Sequence, residues 1–183
     1  METSIVISGF GGQGVLFAGQ LLAYAGMDSG YHVTWIPSYG PEMRGGTANC
    51  TVIISQEAIG APIVSRPDIV IALNLPSFEK YEDLVKPGGL FVVNSSLVDT
   101  PVTRTDIDVV YVPVNEIAET YGTNKMLNMA ALGALLAHRP VLTLAALEEA
   151  LRDHLPASKA ALIEGNIAVL LQGHAQALTP AGE

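Results

Sequence analysis

Six residues near the start of the chain form the first pattern with a chemical meaning. Residues 9–14 read Gly-Phe-Gly-Gly-Gln-Gly, which satisfies G-x-G-x-x-G. Glycines let a backbone turn tightly and approach a ligand, and the amino end of a following helix offers free N–H groups to an anion. The candidate ligand-binding residues are therefore Gly9, Gly11, Gly12, Gln13 and Gly14. The competing interpretation is tight packing of a strand on a helix, with no ligand.

A dinucleotide site would need one more feature, an acidic residue at the end of the next strand to hold a ribose hydroxyl. Ile36, Pro37 and Ser38 occupy that place, and the nearest acid, Glu42, lies inside the following loop. The sequence therefore disfavours NAD. It leaves a phosphorylated ligand or a partner subunit as the occupant of the first loop.

A second loop follows the second predicted strand. Residues 39–46 read Tyr-Gly-Pro-Glu-Met-Arg-Gly-Gly, and in a parallel sheet this loop is expected at the same edge as the first one. Arg44 stands between Met43 and glycine, where its guanidinium can bind a carboxylate or a phosphate through two parallel hydrogen bonds. A surface salt bridge from Arg44 to Glu42 or Asp28 is the alternative.

Two asparagines stand at the start of a predicted apolar helix, residues 125–137. Asn124 and Asn128 are four residues apart, so both amides are expected on one face of the helix. Asn124 is predicted to cap the helix. Asn128 lies too far in for a cap and, if buried, needs hydrogen-bond partners.

Catalytic residue sets are missing from the sequence. Its single cysteine, Cys50, cannot supply the ligands of an iron–sulfur cluster or a structural zinc site. The four histidines lack metal-ligand spacing, and the sequence contains no nucleophile elbow, phosphate-binding P-loop or thiamine-diphosphate signature. We therefore expect no catalytic residue and no bound metal on this chain.

The elements that must position these loops alternate between strand and helix. Short β-branched or apolar runs predict strands at 4–8, 32–37, 48–55, 68–74, 90–94 and 109–114. Helical spacing or composition predicts helices at 15–26, 77–85, 125–137, 144–154 and 157–177. The pattern predicts an α/β fold with a mostly parallel sheet flanked by helices, a helical C-terminal third and one domain over residues 1–183. The helix at 125–137 is apolar almost all round, so it is expected to be buried in the domain or against another chain. Together with the apolar helix at 157–177 it suggests more buried surface than one domain requires, which indicates an interface and leaves self-association of the isolated chain open.

Composition excludes several classes of partner. The chain has 183 residues and a net charge of −9, so attraction to a phosphate backbone is opposed. Nucleic acid is therefore not an expected partner. The sequence shows neither a signal-peptide pattern nor a run of about 20 apolar residues, and we expect a cytoplasmic protein without a membrane contact.

Three blocks together carry a resemblance to a known family. They are residues 9–15 (Gly-Phe-Gly-Gly-Gln-Gly-Val), 37–46 (Pro-Ser-Tyr-Gly-Pro-Glu-Met-Arg-Gly-Gly) and 124–129 (Asn-Lys-Met-Leu-Asn-Met). In sequence and order these blocks resemble the gamma subunits of 2-oxoacid:ferredoxin oxidoreductases, which act on pyruvate, 2-oxoglutarate, 2-oxoisovalerate or indolepyruvate. The resemblance spans nearly the whole chain, and its second block is the most specific.

The resemblance implies a Rossmann-like domain beside alpha and beta subunits that hold thiamine diphosphate and Mg, with iron–sulfur clusters on a ferredoxin-like delta subunit. The reaction would be oxidative decarboxylation of a 2-oxoacid with coenzyme A, giving an acyl-CoA, CO2 and reduced ferredoxin. The family also implies that the first loop and Arg44 contribute to the coenzyme A side of the site. Interface residues would come from the second and third blocks: Tyr39, Pro41, Glu42, Met43, Asn124 and Asn128.

Two other classes of function stay open at this point. One is a stand-alone NAD- or S-adenosylmethionine-dependent enzyme, which the glycine loop and the turn at residues 86–89 (Lys-Pro-Gly-Gly) would suit. The other is a purely structural subunit that binds no small molecule.

Overall fold

The computed structural model describes residues 2–38 and 47–179, which form one six-stranded sheet with helices on both faces. The strands are β1 (Glu2–Phe10), β2 (His32–Ser38), β3 (Thr47–Ser55), β4 (Ile69–Ala72), β5 (Leu90–Asn94) and β6 (Asp108–Val112). The helices are α1 (Val15–Asp28), α2 (Leu75–Tyr81), α3 (Val114–Glu119), α4 (Leu127–His138), α5 (Leu144–His154) and α6 (Ile163–Leu178). Short 3-10 turns at Glu82–Leu84, Asn124–Met126 and Ala157–Leu162 complete the regular structure.

The sheet has the order β2-β3-β1-β4-β5-β6, and its last four strands run parallel to one another. This confirms the predicted mostly parallel α/β fold. β2 does not lie beside β1, however, because β3 is inserted between them and pairs antiparallel with both. An antiparallel neighbour can follow β2 through a short connection, whereas a parallel one would need a long crossover.

The strands β4 and β5 are buried at every residue, as their continuous apolar runs predict. Successive side chains point to opposite faces of a strand, so Ile69 and Ile71 join one hydrophobic cluster while Val70 and Ala72 join the other. The first cluster includes side chains of α1, α4, α5 and α6, and the second includes side chains of α2.

The connections that follow β1 and β4 lie on opposite faces of the sheet, and this places a crevice between the carboxyl ends of the two strands. The chain leaves β1 into α1 on one face of the sheet and leaves β4 into α2 on the other. Adjacent strands whose connections diverge in this way open a crevice at their carboxyl ends, which is where open α/β sheets bind ligands.

The apolar helix α4 is covered by its own chain. It packs along α6, and Gly133 and Gly173 let the two backbones meet, because a Cβ at Gly133 would overlap the Leu170 carbonyl and one at Gly173 the Ala130 carbonyl. Of the two interpretations of the apolar helix at 125–137, burial within the domain is confirmed, since α4 is part of the core. In the predicted helix at 157–177, residues Ala157–Leu162 form an exposed 3-10 turn instead, and Leu162 is exposed.

Two boundaries differ from the sequence prediction for local reasons. The strand predicted at 109–114 ends at Val112, and Pro113 starts α3, a helix that the sequence analysis missed. The helix predicted at 77–85 begins at Leu75 because Asn74 caps it, its Oδ1 accepting from the Ser77 N–H at 2.9 Å. None of the helices in the described residues is long and apolar enough to span a membrane.

Candidate functional site

The glycine loop, residues 9–14, joins β1 to α1 as predicted. Gly12 has φ 98° and Gly14 has φ 73°, a region that other residues rarely adopt. A Cβ at Gly12 would stand in open space, whereas one at Gly14 would lie 2.5 Å from Nδ2 of Asn128. Gly12 thus requires glycine for its backbone conformation, and Gly14 requires it for conformation and space.

Gln13 holds this loop in shape with its side chain. Its Oε1 accepts from the Phe10 N–H at 2.6 Å, and its Nε2 donates to the Leu73 carbonyl at 3.1 Å. Both ends of the amide are therefore occupied within the chain. Gln13 braces the loop against the start of the β4–α2 connection, which the sequence analysis did not foresee when it treated Gln13 only as a ligand contact.

The amino end of α1 is equipped for an acceptor oxygen. Gly14 occupies the capping position without a side chain, and the first turn carries no acidic residue. The first N–H groups of a helix have no partner within it, and they carry a partial positive charge. Such an end favours a phosphate or carboxylate, consistent with the predicted ligand class.

Asn128 lies directly behind this helix end and is 2% exposed. Its Nδ2 donates to the Gly14 carbonyl at 3.1 Å, while its Oδ1 is buried and has no hydrogen-bond partner among the described residues. A buried unpaired acceptor costs about 1–3 kcal/mol. The expected need of Asn128 for partners is thus met on one side of the amide. Its own chain covers Asn128, and its interface role stays a prediction.

Asn124 does not share a face with Asn128. It is exposed in the 3-10 turn before α4, where its Nδ2 donates to Oε1 of Glu119 at 2.8 Å. Thr123 caps that turn instead, its Oγ1 accepting from the Lys125 N–H at 3.1 Å. The predicted helix cap at Asn124 is therefore wrong, and Asn124 remains a candidate only for contacts outside the chain.

Asparagines that the sequence analysis passed over complete the crevice. Asn94, at the end of β5, donates from Nδ2 to the Leu73 carbonyl at 3.0 Å and to Oδ1 of Asn115 at 2.9 Å. Asn74, two residues beyond β4, is 1% exposed, and its Nδ2 has no hydrogen-bond partner in the part of the chain that the structure describes. Both residues close apolar runs, so an amide at the carboxyl end of a buried strand was the available signal.

The second loop, with Tyr39, Pro41, Glu42, Met43 and Arg44, lies outside the described residues. Its neighbours in the chain do mark its position. Ser38 ends β2 opposite Asn49, and Thr47 begins β3 opposite Phe10, the last residue of β1. The second loop therefore starts and ends at the edge that carries the glycine loop.

The thiol of Cys50 is not poised for chemistry. Burial raises its pKa to about 12, and the thiol donates a long hydrogen bond to the Val15 carbonyl at 3.5 Å. The thiol is thus protonated at neutral pH and packs in the core against α1. Within residues 2–38 and 47–179, no three His, Cys, Asp or Glu side chains gather as a metal site would require.

A cavity of about 510 Å³ lies at the opposite edge of the sheet. Asp68, Lys86 and Arg139 are among its lining residues, and the Lys86 ammonium contacts the Asp68 carboxylate at 2.8 Å. Burial disfavours ionisation of Asp68, but hydrogen bonds from Lys86 and Ser4 outweigh it, so the pKa of Asp68 lies below its ordinary value. None of the predicted site residues that the structure describes lines this cavity.

Comparison with known proteins gives consistent similarities. Residues 4–176 match the family model described as pyruvate ferredoxin/flavodoxin oxidoreductase. Ketoisovalerate oxidoreductase subunit VorA of Methanothermobacter thermautotrophicus is 39% identical over 176 residues, covering 94% of this chain and 36% of the relative. The 2-oxoglutarate synthase subunit KorC of Methanocaldococcus jannaschii is 35% identical over 159 residues, covering 85% of each chain. The chain thus spans about a third of the length of the VorA relatives but most of KorC.

Solved structures extend the likeness. The gamma subunit of a keto/oxoacid ferredoxin oxidoreductase from Geobacter sulfurreducens superposes with a TM-score of 0.85 at 30% identity, covering 97% of both chains. The 2-oxoglutarate:ferredoxin oxidoreductase from Magnetococcus marinus, solved with 2-oxoglutarate, coenzyme A and succinyl-CoA bound, gives 0.87 at 26% identity. That match covers 98% of this chain and 32% of the other.

Proposed function

Because the chain belongs to the pyruvate ferredoxin/flavodoxin oxidoreductase family, we propose that it is the gamma subunit of a 2-oxoacid:ferredoxin oxidoreductase. The complex would convert a 2-oxoacid and coenzyme A into an acyl-CoA and CO2 and pass the electrons to ferredoxin. The observation that carries this proposal is the full-length similarity to a solved gamma subunit, which covers 97% of both chains. In this proposal residues 1–183 act as one unit and work in the cytoplasm.

The catalytic cofactors belong to other subunits in this proposal. Thiamine diphosphate and Mg lie between alpha and beta subunits, and a ferredoxin-like delta subunit carries the iron–sulfur clusters. Support comes from the sequence, whose one cysteine cannot supply the ligands of a cluster. The electron route therefore runs through partner chains.

The role proposed for this chain is to hold the phosphate-bearing part of coenzyme A. The uncapped end of α1 and the backbone of Gly11 and Gly12 present N–H groups at the crevice, where none of the described residues accepts a hydrogen bond from the two glycine N–H groups. Arg44 would add a cation to this edge. The coenzyme A bound in the Magnetococcus marinus relative supports the choice of ligand.

A purely structural subunit is the second candidate, and one observation favours it. The side chains of Gln13 and Asn128 bond to the chain itself, so they leave the ligand to backbone groups and to Arg44. A purely structural subunit would keep the loop geometry and assemble with its partners, but the chain itself would not bind coenzyme A.

Reconstitution separates the two candidates. The chain is purified from its native cells with whatever subunits accompany it, and 2-oxoacid-dependent reduction of ferredoxin or a viologen dye is measured with thiamine diphosphate and coenzyme A. We expect turnover by the complex and none by the isolated chain. We also expect the isolated chain to bind coenzyme A when it is titrated with it. Turnover by the isolated chain, or iron in stoichiometric amount within it, would contradict the subunit assignment.

A further inference from the structure

Asn128 is an anomaly within its helix. It stands among the apolar side chains of α4, and the amide reaches across to Gly14, 114 residues away in the sequence. The Gly14 carbonyl already accepts the first hydrogen bond of α1, from the Ala18 N–H at 2.9 Å. Asn128 adds a second donor to the same oxygen.

The amide does not improve the packing of the core. Within residues 2–38 and 47–179 its buried Oδ1 has no hydrogen-bond partner, and a leucine of nearly the same shape would place no unpaired polar atom there. A residue that breaks a packing rule without a gain in stability is expected where geometry serves function. The geometry that Asn128 controls is that of Gly14, with φ 73° and ψ 21°.

We propose that Asn128 is a positioning residue that fixes the Gly14 peptide and thereby aims the N–H groups of the glycine loop and of the first turn of α1 at the ligand. This inference rests on the proposed function, since the ligand is taken to be the phosphate-bearing part of coenzyme A. Asn128 itself does not touch the ligand, because it lies beneath Gly14.

The physical reason lies in the freedom of glycine. Gly11, Gly12 and Gly14 can adopt many backbone conformations, so an unpinned loop must be ordered when the ligand binds, and that cost weakens binding. The side chain of Gln13 fixes the middle of the loop by hydrogen bonds, and that of Asn128 fixes its end. Loss of the Asn128 hydrogen bond should therefore raise the KM for coenzyme A and leave kcat unchanged at saturation.

The test compares two identical substitutions. Asn128→Leu removes the hydrogen bond to the Gly14 carbonyl. Asn166→Leu is the matched control, because Asn166 is also buried and donates to a backbone carbonyl, that of Leu162 at 2.7 Å. In the assembled complex we expect Asn128→Leu to raise the KM for coenzyme A about fivefold, with kcat within about twofold of wild type. Asn166→Leu should leave both constants within about twofold of wild type.

Hydrogen exchange on the full isolated chain provides a second measurement. In Asn128→Leu, the amides of residues 11–15 should exchange faster than in wild type and in Asn166→Leu, while the melting temperature stays at or above that of the control. Equal KM values for the two variants with unchanged exchange would overturn the inference.

Folding failures are also decisive. Asn128→Ser is a smaller polar replacement that cannot reach Gly14 with an amide. If neither Asn128→Leu nor Asn128→Ser folds, the residue has a folding role and the inference is wrong. If the wild-type complex shows no turnover with coenzyme A, the proposed function fails, and the exchange result still decides whether Asn128 holds the loop.

Discussion

Different interactions connect the loops at the two edges of the sheet: the carboxyl edge, where the parallel strands β1, β4, β5 and β6 end, and the amino edge, where they begin. At the carboxyl edge, glycine geometry and the side-chain amides of Gln13, Asn94 and Asn128 join loops that lie far apart in the sequence. At the amino edge, charged pairs do this work, with Lys86 bound to Asp68 and Arg139 bound to Asp108 at 2.6 Å.

The difference indicates which edge is built for precision. Exposed ion pairs contribute up to about 1 kcal/mol, weaken with salt and tolerate movement. Side-chain amides that donate to distant backbone carbonyls allow few alternative geometries, and none of the described residues accepts a hydrogen bond from the N–H groups of Gly11 and Gly12. The cavity of about 510 Å³ lies at the amino edge, whereas side-chain amides bond to distant backbone carbonyls at the carboxyl edge.

The strongest test of this comparison uses Gly12 and Gly14, the two left-handed glycines of the glycine loop. Gly14→Ala should destabilise the isolated chain by about 3 kcal/mol, because the left-handed conformation and overlap with Asn128 both oppose a Cβ. Gly12→Ala, which meets open space, should cost about 1 kcal/mol. Urea unfolding measures both, and equal losses would show that Asn128 does not confine Gly14.

The brace at Gln13 should have the next largest effect. Gln13→Ala removes the hydrogen bonds to the Phe10 N–H and the Leu73 carbonyl, so we expect a loss of about 1–2 kcal/mol in the free energy of unfolding. Gln20→Ala on α1 is the control, since Gln20 bonds only to the hydroxyl of Tyr24 in the described structure. A similar loss in both variants would remove the special role of Gln13.

The amino edge should respond to pH. Because the pKa of Asp68 is lowered by folding, its contribution is present above the unfolded value of about 3.9 and is lost as the pH falls through the lower folded value. Wild type should therefore lose more stability than Asp68→Asn as the pH falls below about 4, by under about 1 kcal/mol. Thermal unfolding of wild type, of Asp68→Asn and of the exposed control Asp99→Asn across this pH range measures the loss of stability. Parallel curves of stability against pH for wild type and Asp68→Asn would contradict the prediction.

The smallest expected change in stability contrasts two cations. Arg44→Ala and Lys86→Ala should each alter the free energy of unfolding by about 0.5 kcal/mol or less, because the sequence predicts Arg44 in a loop and Lys86 forms its ion pair at the exposed surface. Their functional effects should differ: Arg44→Ala should weaken assembly or raise the KM for coenzyme A, whereas Lys86→Ala should leave both unchanged. A large loss of stability in Arg44→Ala would instead favour an internal salt bridge.

Local sequence signals predicted most of the elements. The strand at Leu90–Asn94 and the helix at Leu144–His154 have the predicted boundaries, since an apolar run bounded by turn residues and an amphipathic repeat each depend on nearby residues alone. The glycine loop was recognisable for the same reason, because positive φ angles are a local requirement. Helix α3 was missed because its six residues are too few to show a period.

Long-range packing decided the rest. Sequence spacing put Asn124 and Asn128 on one face of a helix, but the helix begins after Asn124, and packing against α6 through Gly133 and Gly173 buries α4. That burial carries Asn128 to Gly14, a contact that no local pattern encodes. Likewise, the insertion of β3 beside β1 depends on strand pairing across the sheet.

The sequence by itself therefore determined the class of the fold, the place of the glycine loop and the family resemblance, because each depends on residue types at short spacing. Only the tertiary structure decided what holds that loop. Gln13 and Asn128 complete their hydrogen bonds with groups that are distant in the chain, and which distant groups meet depends on how the helices pack onto the sheet.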